Sequence, residues 1–347
     1  MAHRKALTPE EMVERLIRGD RRQAARLITM AENRSEQISE LMKLIYPHTG
    51  KAMVIGLTGA GGSGKSTLID RLIGAFRNRD LKVGVIAVDP SSPFSGGAVL
   101  GDRIRFQKHA LDEGVYLRSM GSRGYLGGVA RATNDAVRIV EALGQEVILV
   151  ETLGAGQDEV DVFHVAQTCL LLLTPGMGDD IQAMKAGIME IAHLIVLNKA
   201  DLDGAGACLH SLEAMLSLGL GDKQGGWQPR IIPTVAAGVR EDQVQGIEEL
   251  VAAIFAHQEY LRQSRAVDQI QARRVEQELG LIFKDELEKI VFAGLKGTGR
   301  KRAYIEEIMA GRNDPYSVVD EVLKEFTTGV NADEPCEGLE GGSGHAN

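Results

Sequence analysis

A chain of 347 residues with 39 Lys and Arg against 48 Asp and Glu carries a net charge of −9, holds 41 Gly and is only 4% aromatic. Its 44% apolar and 25% charged residues give the balance of a globular protein, and the acidic balance with few rings excludes a nucleic-acid platform, which needs basic grooves and stacking surfaces. No apolar run reaches the roughly 18 residues that span a bilayer, Met1-Ala2-His3-Arg4-Lys5 is unlike a signal-peptide core, and Cys169, Cys208 and Cys336 are scattered, so a cytoplasmic protein without membrane segments, disulfides or a cysteine metal clip is expected.

Residues 1–48 read as a helical extension. Thr8-Pro9-Glu10-Glu11 is a capping box with Pro at the first helical position, followed by Met12, Leu16 and Ile17 at helical spacing. Gly19 ends that helix, Asp20 caps the next, and Ile38, Leu41, Met42 and Ile45 mark a third. With nine basic and seven acidic residues, this segment is a layer packed on the next domain rather than a basic arm.

From Lys51 short β-rich runs alternate with helical patterns: Met53 to Leu57, Val83 to Val88, Val115 to Leu117, Val147 to Val150, Cys169 to Leu173, Leu194 to Leu197, and Ile231 to Ile232. Crossover helices fit Ser66 to Arg77, Val129 to Leu143 and Ile181 to Ala192. This predicts an α/β fold over 49–255, a mostly parallel sheet covered by helices on both faces, with ligands at the carboxyl ends of the strands. A helical arm over 256–330 follows, with Asp314-Pro315 starting its last helix. Its apolar positions are too few for a core of their own, so a second copy of the chain is expected to complete it. The tail, 331–347, has four acidic residues, four Gly and no Lys or Arg, and is expected to be disordered.

Gly59-Ala60-Gly61-Gly62-Ser63-Gly64-Lys65-Ser66 matches the phosphate-loop pattern GxxxxGK[ST] between a strand and a helix, with Thr67 next in line. Backbone N–H groups of such a loop turn toward phosphates, Lys65 reaches the terminal phosphates, and the Ser66 hydroxyl serves Mg2+. About 130 residues on, Asn198-Lys199-Ala200-Asp201 follows a strand. The Asp201 carboxylate can accept the N1–H and N2 amino hydrogens of guanine, a pair that adenine lacks, which selects GTP. Asn198 can tie this loop to the phosphate loop, the Lys199 stem can cover the base, and Val235 and Ala236 beyond the last strand complete the candidate nucleotide set.

Asp89 and Glu151 end strands, and Asp102 precedes a helical pattern, so all three are candidates for the magnesium environment, Asp102 equally so for a helix cap. In Glu151-Thr152-Leu153-Gly154, the Gly154 N–H is the natural donor to a third phosphate. Gln157 either orients water or shapes its loop, since spacing alone leaves both open.

These residues resemble the MeaB/ArgK family of P-loop GTPases, the G-protein chaperones of adenosylcobalamin-dependent acyl-CoA mutases such as methylmalonyl-CoA mutase. The likeness is carried by Val88-Asp89-Pro90-Ser91-Ser92-Pro93, Leu100-Gly101-Asp102-Arg103, Leu126-Gly127-Gly128-Val129-Ala130-Arg131, Gly154-Ala155-Gly156-Gln157, Gly178-Asp179-Asp180-Ile181-Gln182 and the Asn198 motif, and extends to about Glu325. It implies a homodimer through the C-terminal arm, a GTPase slow alone and accelerated by its mutase, and a role in gating cofactor delivery and protecting or repairing that enzyme. It implies a magnesium environment of Asp89, Asp102 and Glu151, and a partner-responsive switch at Asp179, Gln182 and Lys185, so that Lys65, Gln157 and Lys185 form the candidate catalytic set. The chain departs from the family at Gly61-Gly62-Ser63, where Pro-Gly-Val is commoner, at Leu153 and Ala155, which replace Val, and at Asp158, which replaces Ser and adds negative charge near the phosphate-sensing segment. No Asp-x-His-x-x-Gly cobalamin motif is present, and there is no room for a barrel of about 250 residues, so cobalamin is expected on the partner. A metallochaperone GTPase and a P-loop kinase are the competing classes. The scattered Cys and unclustered His, such as His164 and His193, disfavour the first, and guanine-selective Asp201 the second.

Overall fold

The computed structural model describes residues 7–89, 106–109, 111–121, 128–152, 165–176, 192–219, 226–238, 240–264, most of 272–291, and 299–330. Three helices open the chain, α1 (Pro9–Ile17), α2 (Arg21–Glu32) and α3 (Ile38–Ile45). Thr8 and Glu11 exchange side-chain and backbone hydrogen bonds across the first turn of α1, and the Asp20 carboxylate accepts from the N–H groups of Arg22 and Gln23 at the start of α2. Each bond satisfies a donor that a helix start otherwise leaves open.

Seven strands follow: β1 (Met53–Gly59), β2 (Val83–Asp89), β3 (Val115–Gly121), β4 (Val147–Thr152), β5 (Thr168–Leu173), β6 (Leu194–Asn198) and β7 (Arg230–Thr234). They form one parallel sheet in the order β3-β2-β4-β1-β5-β6-β7. The described helices among and after them are α4 (Lys65–Arg77), α5 (Gly128–Ala142), α6 (Ala205–Gly219) and α7 (Ile247–Gln263). Strands buried on both faces read as continuous apolar runs, and here successive residues serve opposite layers. Val147 and Leu149 pack beneath α4 and α7, while Ile148 and Val150 join Leu16, Leu27, Ile28, Leu41 and Ile45 of the N-terminal helices and Ile139 and Val140 of α5. Leu171, Leu173, Ile195 and Leu197 meet Leu212 of α6, a helix whose apolar pattern is weak and which the sequence reading did not single out.

The N-terminal layer is held at the sheet edge by polar ties as well. Arg21 donates to the Val115 carbonyl, and Arg118 on β3 pairs with Glu32 and bonds the Thr29 hydroxyl at 3.0 Å. The chain divides into two compact units, residues 1–278 and 279–347. The second holds helical residues up to 291, then α8 (Arg300–Met309) and α9 (Pro315–Val330), the latter capped by Asp314 through the N–H groups of Tyr316 and Ser317. Among the described residues no helix is long and apolar enough to cross a membrane.

Candidate nucleotide site

β1 delivers its last residue, Gly59, against β5, where an added Cβ would lie 2.4 Å from the Leu172 carbonyl oxygen. The loop then turns through Gly64, at φ +94°, into α4. A left-handed residue there suits Gly alone, since its Cβ would stand 2.4 Å from the Asn198 Nδ2 atom. Gly61 has open space around it, so the loop geometry does not demand glycine at that position.

Lys65, the first residue of α4, is buried, and its Nζ donates to the carbonyls of Gly59 at 2.5 Å and Ala60 at 3.1 Å. The ammonium is thereby held over the loop in which phosphate would sit. Ser66 donates from Oγ to Glu151 Oε1 at 2.9 Å. Parallel pairing of β1 with β4 aligns Leu57 with Glu151, which brings that carboxylate, 2% exposed, to the mouth of the loop. Gly61, Gly62, Gly64, Lys65, Ser66, Thr67, Asp70 and Glu151 line a cleft of about 590 Å³. The donors at its floor are a hydroxyl and a carboxylate, an all-oxygen set that suits a small hard divalent cation.

The second half of the site leaves the sheet two strands away. Asn198 ends β6, is 2% exposed, and donates from Nδ2 to the Ser63 carbonyl at 2.8 Å. Its Oδ1 accepts from the Thr234 hydroxyl at 3.2 Å and the Ala236 N–H at 3.3 Å. One carboxamide thus joins the phosphate loop, β7 and the loop after β7. Lys199, at φ +57°, crosses back so that Nζ donates to the Gly62 carbonyl at 2.9 Å. Asp201 is exposed beside it, and the Ala200 N–H donates to Thr234 at 3.0 Å. Val235 is fixed by paired backbone bonds to Gln245 of 3.0 and 3.2 Å.

The structure therefore brings Gly59 to Thr67, Glu151, Asn198, Lys199, Asp201, Val235 and Ala236 to one end of the sheet. Asp89 ends β2 at that same edge, one residue beyond the pairing of Val88 with Thr152. Asp102, Gly154, Gln157, Asp179, Gln182 and Lys185 lie outside the described residues, as does the helix expected over Ile181 to Ala192, except Ala192. His193 accepts from the Cys169 N–H at 3.0 Å and its ring packs 4.3 Å from that of His257. Two residues escaped the sequence reading. Asp70 lines the cleft because it lies one helical turn beyond Ser66, a signal the spacing did carry. Arg71 reaches carbonyls 165 and 167 residues away, for which no local pattern exists.

A family model described as methylmalonyl Co-A mutase-associated GTPase MeaB matches residues 24–296. A putative GTPase of Pyrococcus abyssi is 46% identical over 326 residues, covering 92% of this chain and 97% of that protein. GTPase ArgK of Escherichia coli is 33% identical over 317 residues, 89% of this chain and 93% of that one. The mouse protein named methylmalonic aciduria type A homolog, mitochondrial, is 37% identical over 202 residues, 54% of this chain and 49% of its own length. Among solved structures, that of a LAO/AO transport system kinase superposes with a TM-score of 0.65 at 26% identity, covering 93% of this chain and 100% of that one.

Proposed function

Because the chain belongs to the MeaB family of methylmalonyl-CoA mutase-associated GTPases, we propose that it spends GTP hydrolysis on gating cofactor delivery to an adenosylcobalamin-dependent acyl-CoA mutase, and on protecting or reactivating that enzyme. It is a P-loop GTPase by family and fold. The observation that carries the switch reading is the Ser66 to Glu151 hydrogen bond of 2.9 Å. Glu151 stands immediately before Thr152 and the segment containing Gly154 and Gln157, so a change in what Ser66 and Glu151 hold is felt where that segment begins.

In this reading Lys65 exchanges its carbonyl partners for the outer phosphates, and the phosphate-loop N–H groups surround them. Ser66 and Glu151, with Asp89 and Asp102, would hold Mg2+, which when bound neutralises charge on the transferring phosphoryl group. Gly154 meets the third phosphate, and Gln157 or Lys185 acts at the hydrolytic step. Asp201 reads the guanine edge while Asn198 and Lys199 keep that edge in register with the phosphates. Asp179, Gln182 and Lys185 respond to the mutase. Cobalamin stays with the partner, the location is cytoplasmic, and the arm over 256–330 makes a homodimer, for which the exposed Leu279, Phe283, Leu287 and Ile290 give support.

The test is inorganic phosphate release from GTP with and without purified methylmalonyl-CoA mutase. Stimulation by the mutase is expected, and Lys65→Ala should lower the stimulated rate by roughly 100-fold or more, the scale of losing a preorganised charge at the transferring group. No stimulation by any adenosylcobalamin mutase would remove the chaperone role while leaving the GTPase. Transfer of the phosphate to an acceptor would favour a kinase instead.

A further inference from the structure

Arg71 lies on α4, between the phosphate loop and the loop that follows β7. Its Nε donates to the Ala236 carbonyl at 3.0 Å and its Nη2 to the Gly238 carbonyl at 2.7 Å. Ala236 is 1% exposed, and its N–H is the one that Asn198 accepts at 3.3 Å. The Ala236 peptide neighbourhood is therefore gripped from both sides, by Asn198 on its N–H and by Arg71 on its carbonyl. Behind it, an added Cβ on Gly238 would come within 2.9 Å of Gln243 and Val244, so the loop is packed as well as bonded. Ala237, between the two gripped carbonyls, is exposed. Parallel pairing of Asn198 with Thr234 makes the 235–238 loop leave the sheet beside the loop that carries Asp201.

We propose that Arg71 is a positioning residue for guanine recognition: by gripping the Ala236 carbonyl it turns the N–H of the same trans peptide, that of Ala237, the opposite way, toward the O6 atom of the base. This rests on the assignment of Asp201, Val235 and Ala236 to the base site. Guanine presents an acceptor at O6 where adenine presents an amino donor, so a fixed N–H in this place distinguishes the two bases. A backbone donor discriminates only if it cannot turn away, and beyond the Val235–Gln245 bridge this loop has no strand ladder to fix it. The planar guanidinium supplies two donors in one rigid fork, which suits two carbonyls two residues apart; a lysine ammonium is a single point charge on a flexible stem. Because Arg71 sits six residues beyond Lys65 on the same helix, the fork also fixes the base loop relative to the phosphate loop.

The experiment measures affinities of the full chain for three diphosphates: GDP, inosine diphosphate, which lacks the N2 amino group, and 2-aminopurine riboside diphosphate, which lacks O6 and with it the N1–H, so each variant is compared with wild type on the same nucleotide. Wild type, Arg71→Ala and Arg71→Lys are compared, with thermal unfolding alongside. Arg71→Ala should weaken GDP and inosine diphosphate binding together by roughly tenfold, the worth of about one good hydrogen bond. Binding of the nucleotide without O6 should change less than about twofold, because it never used the contact. Arg71→Lys should show the same nucleotide-selective loss at smaller size with unfolding close to wild type, so it decides the matter if the alanine variant folds poorly. An equal loss for all three nucleotides, or no loss, in Arg71→Lys would overturn the proposal. If the wild type itself fails to prefer GDP over both analogues, the base-site assignment falls and takes this inference with it.

Discussion

The two compact units treat their apolar residues in opposite ways. In the first, Leu57, Leu68, Leu72, Ile73 and Phe76 are wholly buried around one side of the sheet. In the second, Val322 is the single buried apolar residue among those described, while Leu279, Phe283, Leu287, Ile290, Ile305, Met309, Tyr316, Val319 and Leu323 are about half exposed or more. Burial of a side chain of this size is worth roughly 1.5–3 kcal/mol, so the first unit is stabilised from within, and the second offers its apolar surface to something else.

Core truncation puts the largest number on that contrast. Leu72→Ala removes a fully buried side chain from the core-facing side of α4 and should cost about 2–5 kcal/mol, read as a lowered midpoint in denaturant unfolding. A loss under about 1 kcal/mol would mean that the first unit is less tightly packed than its burial implies. Next in size is Gly64→Ala. It forces a non-glycine residue to φ +94° and drives a Cβ toward Asn198, for an expected loss of about 1–3 kcal/mol. GDP affinity should fall more than stability does, because the displaced carboxamide also holds Ser63, Thr234 and Ala236.

Between core and surface lies Asp112, which accepts from Arg77 at 2.9 and 3.2 Å and from the Gly114 N–H at 2.8 Å. Its hydrogen bonds to the Arg77 guanidinium, above all, hold the carboxyl below its ordinary value of 3.8. A lowered carboxylate value stabilises the fold fully above that ordinary value, and the contribution disappears as pH falls through the lower, folded one. Asp112→Asn should therefore cost about 0.5–1 kcal/mol at neutral pH, as expected for an ion pair whose side chains are 26% and 32% exposed. The difference from wild type should shrink in unfolding curves recorded below about pH 4; a difference independent of pH would assign the effect to the Gly114 turn instead.

The strands, α4, α5 and the capped helix starts were legible because each depends on neighbours in sequence: an apolar run for β4, a Thr8 to Glu11 box for α1, a glycine-rich turn before Lys65. The strand order was not, since β1 lies between β4 and β5 through pairings across about a hundred residues. The same reason hid Arg71, whose partners exist only once β7 has been laid beside β6. Helix α6 was hidden differently: Ala205, Gly206, Ala207 and Ala214 blur its periodicity, and among its described side chains only Leu212 is wholly buried against the sheet. Asn198-Lys199-Ala200-Asp201 stood out as a tetrapeptide after a strand, but the dual use of Asn198 as a bridge between the Ser63 carbonyl and the Ala236 N–H required the fold.

The smallest expected change in the stability of a single chain has the largest consequence for the comparison. Phe283 and Leu287 are 64% and 58% exposed, are both helical and lie four residues apart, the spacing that puts two side chains on one stripe of a helix. Replacing both with Glu removes little that the chain itself buries, so unfolding of an isolated chain should shift by no more than about 0.5 kcal/mol. If the stripe is the seam of a homodimer, however, two carboxylates per copy are brought into an apolar interface. Unpaired buried charge is among the costliest defects an interface can carry, and sedimentation at matched concentration should show the mass falling from two copies to one. GTP hydrolysis without mutase should persist, because every described residue of the nucleotide site lies in the first unit. A variant that keeps its assembled mass would place the seam elsewhere, and one that loses stability by several kcal/mol while staying monomeric would show that this stripe is buried within its own chain after all.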